Sequence, residues 1–272
     1  MSTIYRHRSY PTDLTDAEWI IIAPLVAKKS SLGRKRTVDL RSIVNAILYL
    51  NKTGCQWEML PHDFPDYRHV NYYYLLWIRT GVWENVLTTL RRAVRVAEGK
   101  DTEPTAALMD SQSVKTVGSG EERGFDPHKK VKGTKRHMVV DTLGLLLYVL
   151  VTSASVQDRD GGVEICDTID QQFPSIKKIW ADSAYRGELV EYVATWCHYV
   201  LEIVKKVPGQ RGFQIQPKRW IVERTFGWLS AARRLSKDYE YTVQSSESMI
   251  KIACIRMMLR RVTNRLNTQP NF

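Results

Sequence analysis

Residues 105–114, TAALMDSQSV, set an aspartate, Asp110, into an apolar run. A short apolar stretch passing into alternation reads as a β-strand. A carboxylate in such a run needs a compensating partner, because burying a lone charge is costly. Two further stretches carry acids in comparable settings. Residues 177–187, KKIWADSAYRG, end a short strand on Asp182, and residues 218–229, KRWIVERTFGWL, place Glu223 on an amphipathic helix. The three acids lie 72 and then 41 residues apart. Oxygen ligands suit hard divalent cations. Two such ions held together activate a water or hydroxyl and stabilise the leaving oxygen of a phosphodiester. Asp110 is expected to bridge two Mg²⁺, with Asp182 and Glu223 each completing one coordination shell. The competing reading makes each an ordinary surface acid, and Asp110 resists it best.

Helix geometry bears on Glu223. At 100° per residue, Arg219, Gly227, Ser230 and Arg234 share its face, while Ile221, Val222, Phe226, Trp228, Leu229 and Leu235 lie on the other side. A helix from Lys218 to about Leu235 is therefore expected to bury an apolar face and turn an acid–base stripe to the site. The plainer alternative is a surface Arg219–Glu223 pair.

Around these acids the chain divides at the polar segment 98–104. Before it the pattern is helical. Thr15-Asp-Ala-Glu18 is a capping box opening the stretch Trp19–Val26. The basic loop Gly33-Arg34-Lys35-Arg36 follows, then Asp39 as the cap of a helix through Leu50. Two more helices are expected over Val70–Thr80 and Val82–Glu98. Residues 1–100 thus read as a helix-turn-helix-like DNA-binding domain, although small bundles with other roles share the pattern. The tryptophans here recur at helical spacing and read as core, not as platforms for bases.

Beyond residue 104 strands dominate: Ala106–Val114, a hairpin of Lys135–Asp141 and Leu145–Ala154, then Lys177–Ala181 and His198–Lys206. Helices are expected at Gly161–Phe173, Gly187–Trp196, and from Ser245 to about Asn267. The order β-β-β-α-β-α-β-α is that of an α/β, ribonuclease-H-like core, a mixed five-stranded sheet with flanking helices. In that fold the first and fourth strands are neighbours, so Asp110 and Asp182 can meet. The catalytic domain is expected over 101–240, with 241–272 a C-terminal helix packed on the core.

Forty Lys and Arg against 29 Asp and Glu give a net charge of +11, spread over both halves, which points to a polyanionic partner. Nucleic acid fits better than a membrane, since no lipid-anchor motif or long basic amphipathic helix stands out. In residues 128–137, HKKVKGTKRH, the crowded Lys129, Lys130, Lys132, Lys135 and Arg136 are expected to hold DNA phosphates beside the metal site, a solvated loop being the alternative. Asp158 and Asp160 read as caps of the following helix. Asp141 reads as structural, and His137 as a core or DNA contact. Cys55, Cys166, Cys197 and Cys254 form no CxxC pair and read as reduced thiols. With no signal-peptide pattern at MSTIYRHRSYPTD and no apolar run long enough to span a bilayer, the expected location is cytoplasmic, on the nucleoid.

The segments MDSQSVKT, KKVKGTKRHMVVDTLG, WADSAYRG and RWIVERTFGWL closely resemble the DDE transposases of bacterial insertion sequences, in the insertion-sequence-five family within the wider insertion-sequence-four-like superfamily. LTDAEW and LPHDFPDYRHVNYYY resemble that family's helical DNA-binding region. The resemblance spans nearly the whole chain. It implies Asp110, Asp182 and Glu223 as catalytic, metal-holding acids. It also implies dependence on Mg²⁺, two per site with Mn²⁺ able to substitute, and action on the terminal inverted repeats of a mobile element and on target duplex DNA. A homodimer or higher oligomer pairing two ends is expected. Besides the basic run, Arg34, Lys35, Arg36, Arg68, Lys115, Arg186, Arg219 and Arg234 are expected to touch DNA. The wider family has Tyr three residues before the arginine and a basic residue seven after the glutamate; here Gln216 and Ser230 stand there, and Arg234 is expected to supply the cation. The remaining alternatives are a DNA-binding repressor without catalysis and a ribonuclease-H-like nuclease without strand transfer.

Overall fold

The computed structural model describes residues 9–27, 38–118, 120–204 and 218–268. The basic loop with Arg34, Lys35 and Arg36, and Gln216, lie outside the described residues. Thr15 caps α1 (Asp16–Val26) through a reciprocal capping box with Glu18. Asp39 caps α2 (Leu40–Thr53), accepting from the Arg41 and Ser42 N–H groups, and Gly54 ends it at φ 72°, where a Cβ would be strained. Next come α3 (Tyr67–Arg79) and α4 (Val82–Ala97). Trp77 and Trp83 are buried and meet edge to face at 5.2 Å, so both are core.

The sheet comprises β1 (Ala106–Lys115), β2 (Gly124–Asp126), β3 (Val131–Asp141), β4 (Leu146–Ser153), β5 (Lys178–Ala181) and β6 (Val200–Ile203). Between the later strands run α5 (Asp158–Gln172) and α6 (Glu188–Trp196). β3 is antiparallel to β1 on one side and to β4 on the other, while β5 pairs parallel with β1 and β6 parallel with β5. The order β4-β3-β1-β5-β6 and its mixed sense are ribonuclease-H-like. β2 is a sixth strand, absent from the sequence expectation, paired with β3 over three residues. Three residues are too few to carry an alternation.

Strand alternation feeds two cores. Leu108, Met138, Val140 and Leu146 face one cluster with α1–α4, α7 (Arg219–Ser230) and α8 (Val243–Thr268). Ala107, Met109, Val139 and Leu147 face another with α5 and α6. Packing thus runs across the 98–104 link: Asn51 Nδ2 donates to the Met249 carbonyl at 2.9 Å, and Tyr74 Oη to that of Ser245 at 2.9 Å. Among the described residues no helix is long and apolar enough to cross a membrane.

One boundary is corrected. α7 ends at Ser230 and not near Leu235, Ala232 is extended, and Arg233–Leu235 form a separate 3₁₀ turn. The end of α2 imposes this: Lys52 Nζ donates to the Ala231 carbonyl at 2.6 Å, and Gly54 packs closely under the Arg233–Arg234 backbone. Tertiary contacts override a local pattern that has no Gly or Pro between Leu229 and Leu235 to stop it.

Candidate active site

β1 and β5 run in parallel with Met109 level with Ala181, so the next residues, Asp110 and Asp182, come to the same place at neighbouring strands. Asp110 Oδ1 accepts from the Ser111 N–H at 2.7 Å. Burial pushes the Asp110 carboxyl up to about 6, and the charge of Asp182 adds to the rise against the pull of Ser111, Arg219 and Lys129. Asp182 caps the 3₁₀ turn Ser183–Tyr185, accepting from the Ala184 N–H at 2.8 Å.

Glu223 arrives on α7, which seats Val222, Phe226 and Leu229 in the core and ties Thr225 Oγ1 to the Gly144 carbonyl at 3.1 Å. Its carboxylate is exposed, and Arg219 links it to the aspartates. Arg219 Nη2 lies 3.3 Å from Glu223 Oε1 and 3.8 Å from Asp182 Oδ2. The donors suit a hard cation in kind, all being carboxylate oxygens, and a cation beside the buried Asp110 would offset the burial, and secondarily the Asp182 charge, that oppose its ionisation. Among the described residues, however, no three metal-type side chains are gathered closely enough to cage an ion. Asp110 and Asp182 are in place, and the Arg219 guanidinium stands between Asp182 and Glu223.

Asp110, Asp182 and Arg219 line a cleft of about 670 Å³ with residues not assigned to the site from sequence, among them Ser111, Asp126 and Asp158. Asp158 does not cap α5; Gln157 holds the cap position, and Asp158 Oδ1 accepts from Ser111 Oγ and pairs with Lys135 Nζ, each at 2.9 Å. Burial opposes its ionisation, but Lys135 and Ser111 outweigh that and hold the carboxyl below the ordinary range. Asp126 accepts from Ser113 Oγ at 2.6 Å and from the His128 and Lys129 N–H groups at 3.0 Å. Behind them the buried Tyr185 hydroxyl, 3.4 Å from His137 Nδ1, is pushed well above its usual pKa by burial and by the charges of Asp158, Asp110 and Asp182.

The basic run divides. Lys129, Lys130 and Lys132 are exposed, Lys129 Nζ also donating to the Ser111 carbonyl at 3.2 Å. Lys135 and Arg136 are buried in β3 and present no free cation: Lys135 serves Asp158, and Arg136 donates to the Leu235 carbonyl at 2.8 Å. The expectation that these two hold phosphates is corrected on that ground. Arg234 is likewise buried, 2.7 Å from Glu240 and off the Glu223 helix, so it does not stand in for the cation absent at Ser230. Lys115 and Arg186 are exposed, and Arg68 is exposed but paired with its own helix cap, Asp66, at 2.8 Å. His137 is a core residue, and Asp141 is structural, buried against Arg95.

Residues 101–258, more than half of the chain, match the family described as transposase DDE domain, and residues 14–87 match a putative transposase family of the IS4/5 kind. An uncharacterized 16.2 kDa protein of insertion element IS402 from Burkholderia cepacia is 29% identical over 120 residues, covering 42% of this chain and 80% of its own. A putative transposase for insertion sequence element IS402 from the same organism is 28% identical over 131 residues, covering 45% of this chain and 61% of its own. Among solved structures, a piggyBac transposase synaptic complex with hairpin DNA aligns at a TM-score of 0.42 and 12% identity, over 93% of this chain and 72% of that one.

Proposed function

The chain belongs to the DDE-domain transposase family, and from that premise we propose that it cleaves DNA at the inverted-repeat ends of an insertion sequence and joins the freed 3′ end to target DNA. The observation that carries this is the placing of Asp110, midway along β1, beside Asp182, just past the end of the parallel neighbour β5, with Glu223 one guanidinium away. Asp110, Asp182 and Glu223 would hold the divalent ions, two Mg²⁺ or Mn²⁺ in this reading. When bound, those ions supply an activated water, then an activated 3′-hydroxyl, and stabilise the leaving oxygen.

The chain's own residues prepare the place. Ser111 and Lys135 fix Asp158 beside Asp110, keeping the cleft floor rigid without adding an unpaired charge. Arg219 holds Asp182 and Glu223 apart in charge balance, and its planar fork suits a phosphate once the acids have other counterions. Lys129 lines the cleft, and with the exposed Lys130 and Lys132 it would position the DNA backbone. The work is then done on the nucleoid in the cytoplasm, by two or more copies pairing two ends.

Incubation with end-bearing duplex, supercoiled target and Mg²⁺ tests the reading. The expected outcome is end sequence covalently joined to target. Cutting without joining would indicate a nuclease, and salt-sensitive binding without cutting a repressor.

A further inference from the structure

A second stripe runs along α7, about a quarter-turn from Glu223. Trp220, Arg224 and Trp228 recur every four residues and so share one face. The Arg224 guanidinium carbon lies 4.2 Å from the Trp220 ring centre and 4.5 Å from that of Trp228, and Arg261 of α8 lies 4.6 Å from Trp228. The result is a ladder, indole–guanidinium–indole–guanidinium. Lys218 repeats the pairing at the start of the helix, 4.0 Å from the ring of Trp180.

This ladder holds more donor capacity than it uses. An arginine carries five N–H donors. Arg224 Nη2 reaches the Leu143 carbonyl at 3.4 Å and Arg261 Nη1 reaches the same oxygen at 3.5 Å, both at the limit of a hydrogen bond. Arg224 Nε is buried with no partner among the described residues. Burial, then the charge of Arg261, pushes Arg224 below its ordinary pKa; burial does the same to Arg261, against Glu98 and Asp141. Two like charges drawn onto one indole with unspent donors make a site suited to an anion. Both guanidiniums and Trp220 border an open cavity of about 560 Å³, and Trp220 is 39% exposed.

We propose that the Trp220–Arg224–Trp228–Arg261 ladder binds an unpaired DNA strand, with phosphate on the two guanidiniums and a base stacked on Trp220. This rests on the reading of the chain as a DNA-cutting enzyme, because the ladder shares its helix with Glu223. The ligand class follows from the chemistry. Planar donor forks fit phosphate. Exposed indoles stack bases without regard to sequence, and bases inside a duplex are already stacked on each other. A net charge of +11 favours the same partner.

The test uses the full chain carrying Asp110→Asn, in chelator, so that no cutting enters. Fluorescence anisotropy compares a blunt duplex with the same duplex bearing a single-stranded extension of about ten nucleotides, within the reach of such sites. The parent should favour the extended probe. Trp220→Ala should lose roughly tenfold of that preference, with Trp220→Phe retaining part of it and blunt affinity unchanged. Arg224→Gln should flatten the dependence of log Kd on log salt by about 0.7 for the extended probe. Trp220 is exposed, so its variant reports even if Arg224→Gln unfolds. A Trp220→Ala chain that discriminates the two probes as its parent does would overturn the proposal. Cutting by the Asp110-intact enzyme is measured separately, so either reading can fail alone.

Discussion

Asp110 takes up a proton more readily than a surface aspartate because burial and Asp182 both work against its charge. That position was legible in the sequence as an acid inside an apolar run. Lys135 and Arg136 were not, since in a run of five cations nothing local marks which two point inward. The cause lies in the sheet: β3 is central and covered on both faces where it pairs with β1, so every residue from Gly133 to Asp141 is buried whichever way it points. Their partners, Asp158 and the Leu235 carbonyl, are distant in sequence. His137, beside them, gives a pH-dependent test. Burial holds its imidazole down to about 4 against an ordinary 6.5, with Asp158 opposing. Between those values the unfolded chain takes up a proton that the folded chain refuses, so stability is fully present above pH 6.5 and falls as pH drops toward 4. At 1.36 kcal/mol per unit, urea unfolding should show wild type losing roughly 2 kcal/mol more than His137→Gln between pH 7 and 5. Parallel losses would mean the ring is not held neutral.

Two helical glycines separate intrinsic propensity from packing. Gly161 opens α5 onto the sheet, and a Cβ there would lie 2.8 Å from His137 Nε2 and 2.9 Å from its Cε1. That ring is enclosed between Thr152 and Tyr185. Replacing a helical Gly by Ala alone gains up to about 1 kcal/mol, whereas overpacking a rigid core costs about 1–3 kcal/mol. Gly161→Ala should therefore destabilise. Gly227→Ala, with nothing within 4 Å of the added carbon, should raise the melting temperature. Calorimetry of the two variants checks both signs. α7 also shows why element ends were harder to read than element types. The capping box of α1 is local chemistry and was visible, whereas the stop at Ser230 comes from Lys52 and Gly54 on another helix.

For the whole molecule, the order of strands and helices along the chain followed from patterning, but the depth of helix–sheet union did not. Buried Glu18 illustrates it. It caps α1 and also accepts from Arg256 of α8 at 3.1 Å, joining the two ends of the described chain. Removing one partner of a buried pair leaves an uncompensated charge, so Arg256→Ala should cost about 3 kcal/mol. Because the helices share one core with α8 and a sheet face, that loss should shift a single unfolding transition measured by far-UV dichroism and tryptophan fluorescence together. Separate transitions would show that α1–α4 fold on their own. If Asp110, Asp182 and Glu223 act together, each must be needed for cutting. End-bearing duplex is incubated with Mg²⁺ and wild type, Asp110→Asn, Asp182→Asn or Glu223→Gln, each at a salt concentration where all four bind the duplex. Wild type should cleave the strand, and each variant should lose at least about a hundredfold, as for removal of a group that stabilises transition-state charge. Cleavage by all three variants at the wild-type rate would show that these acids do not form the active site.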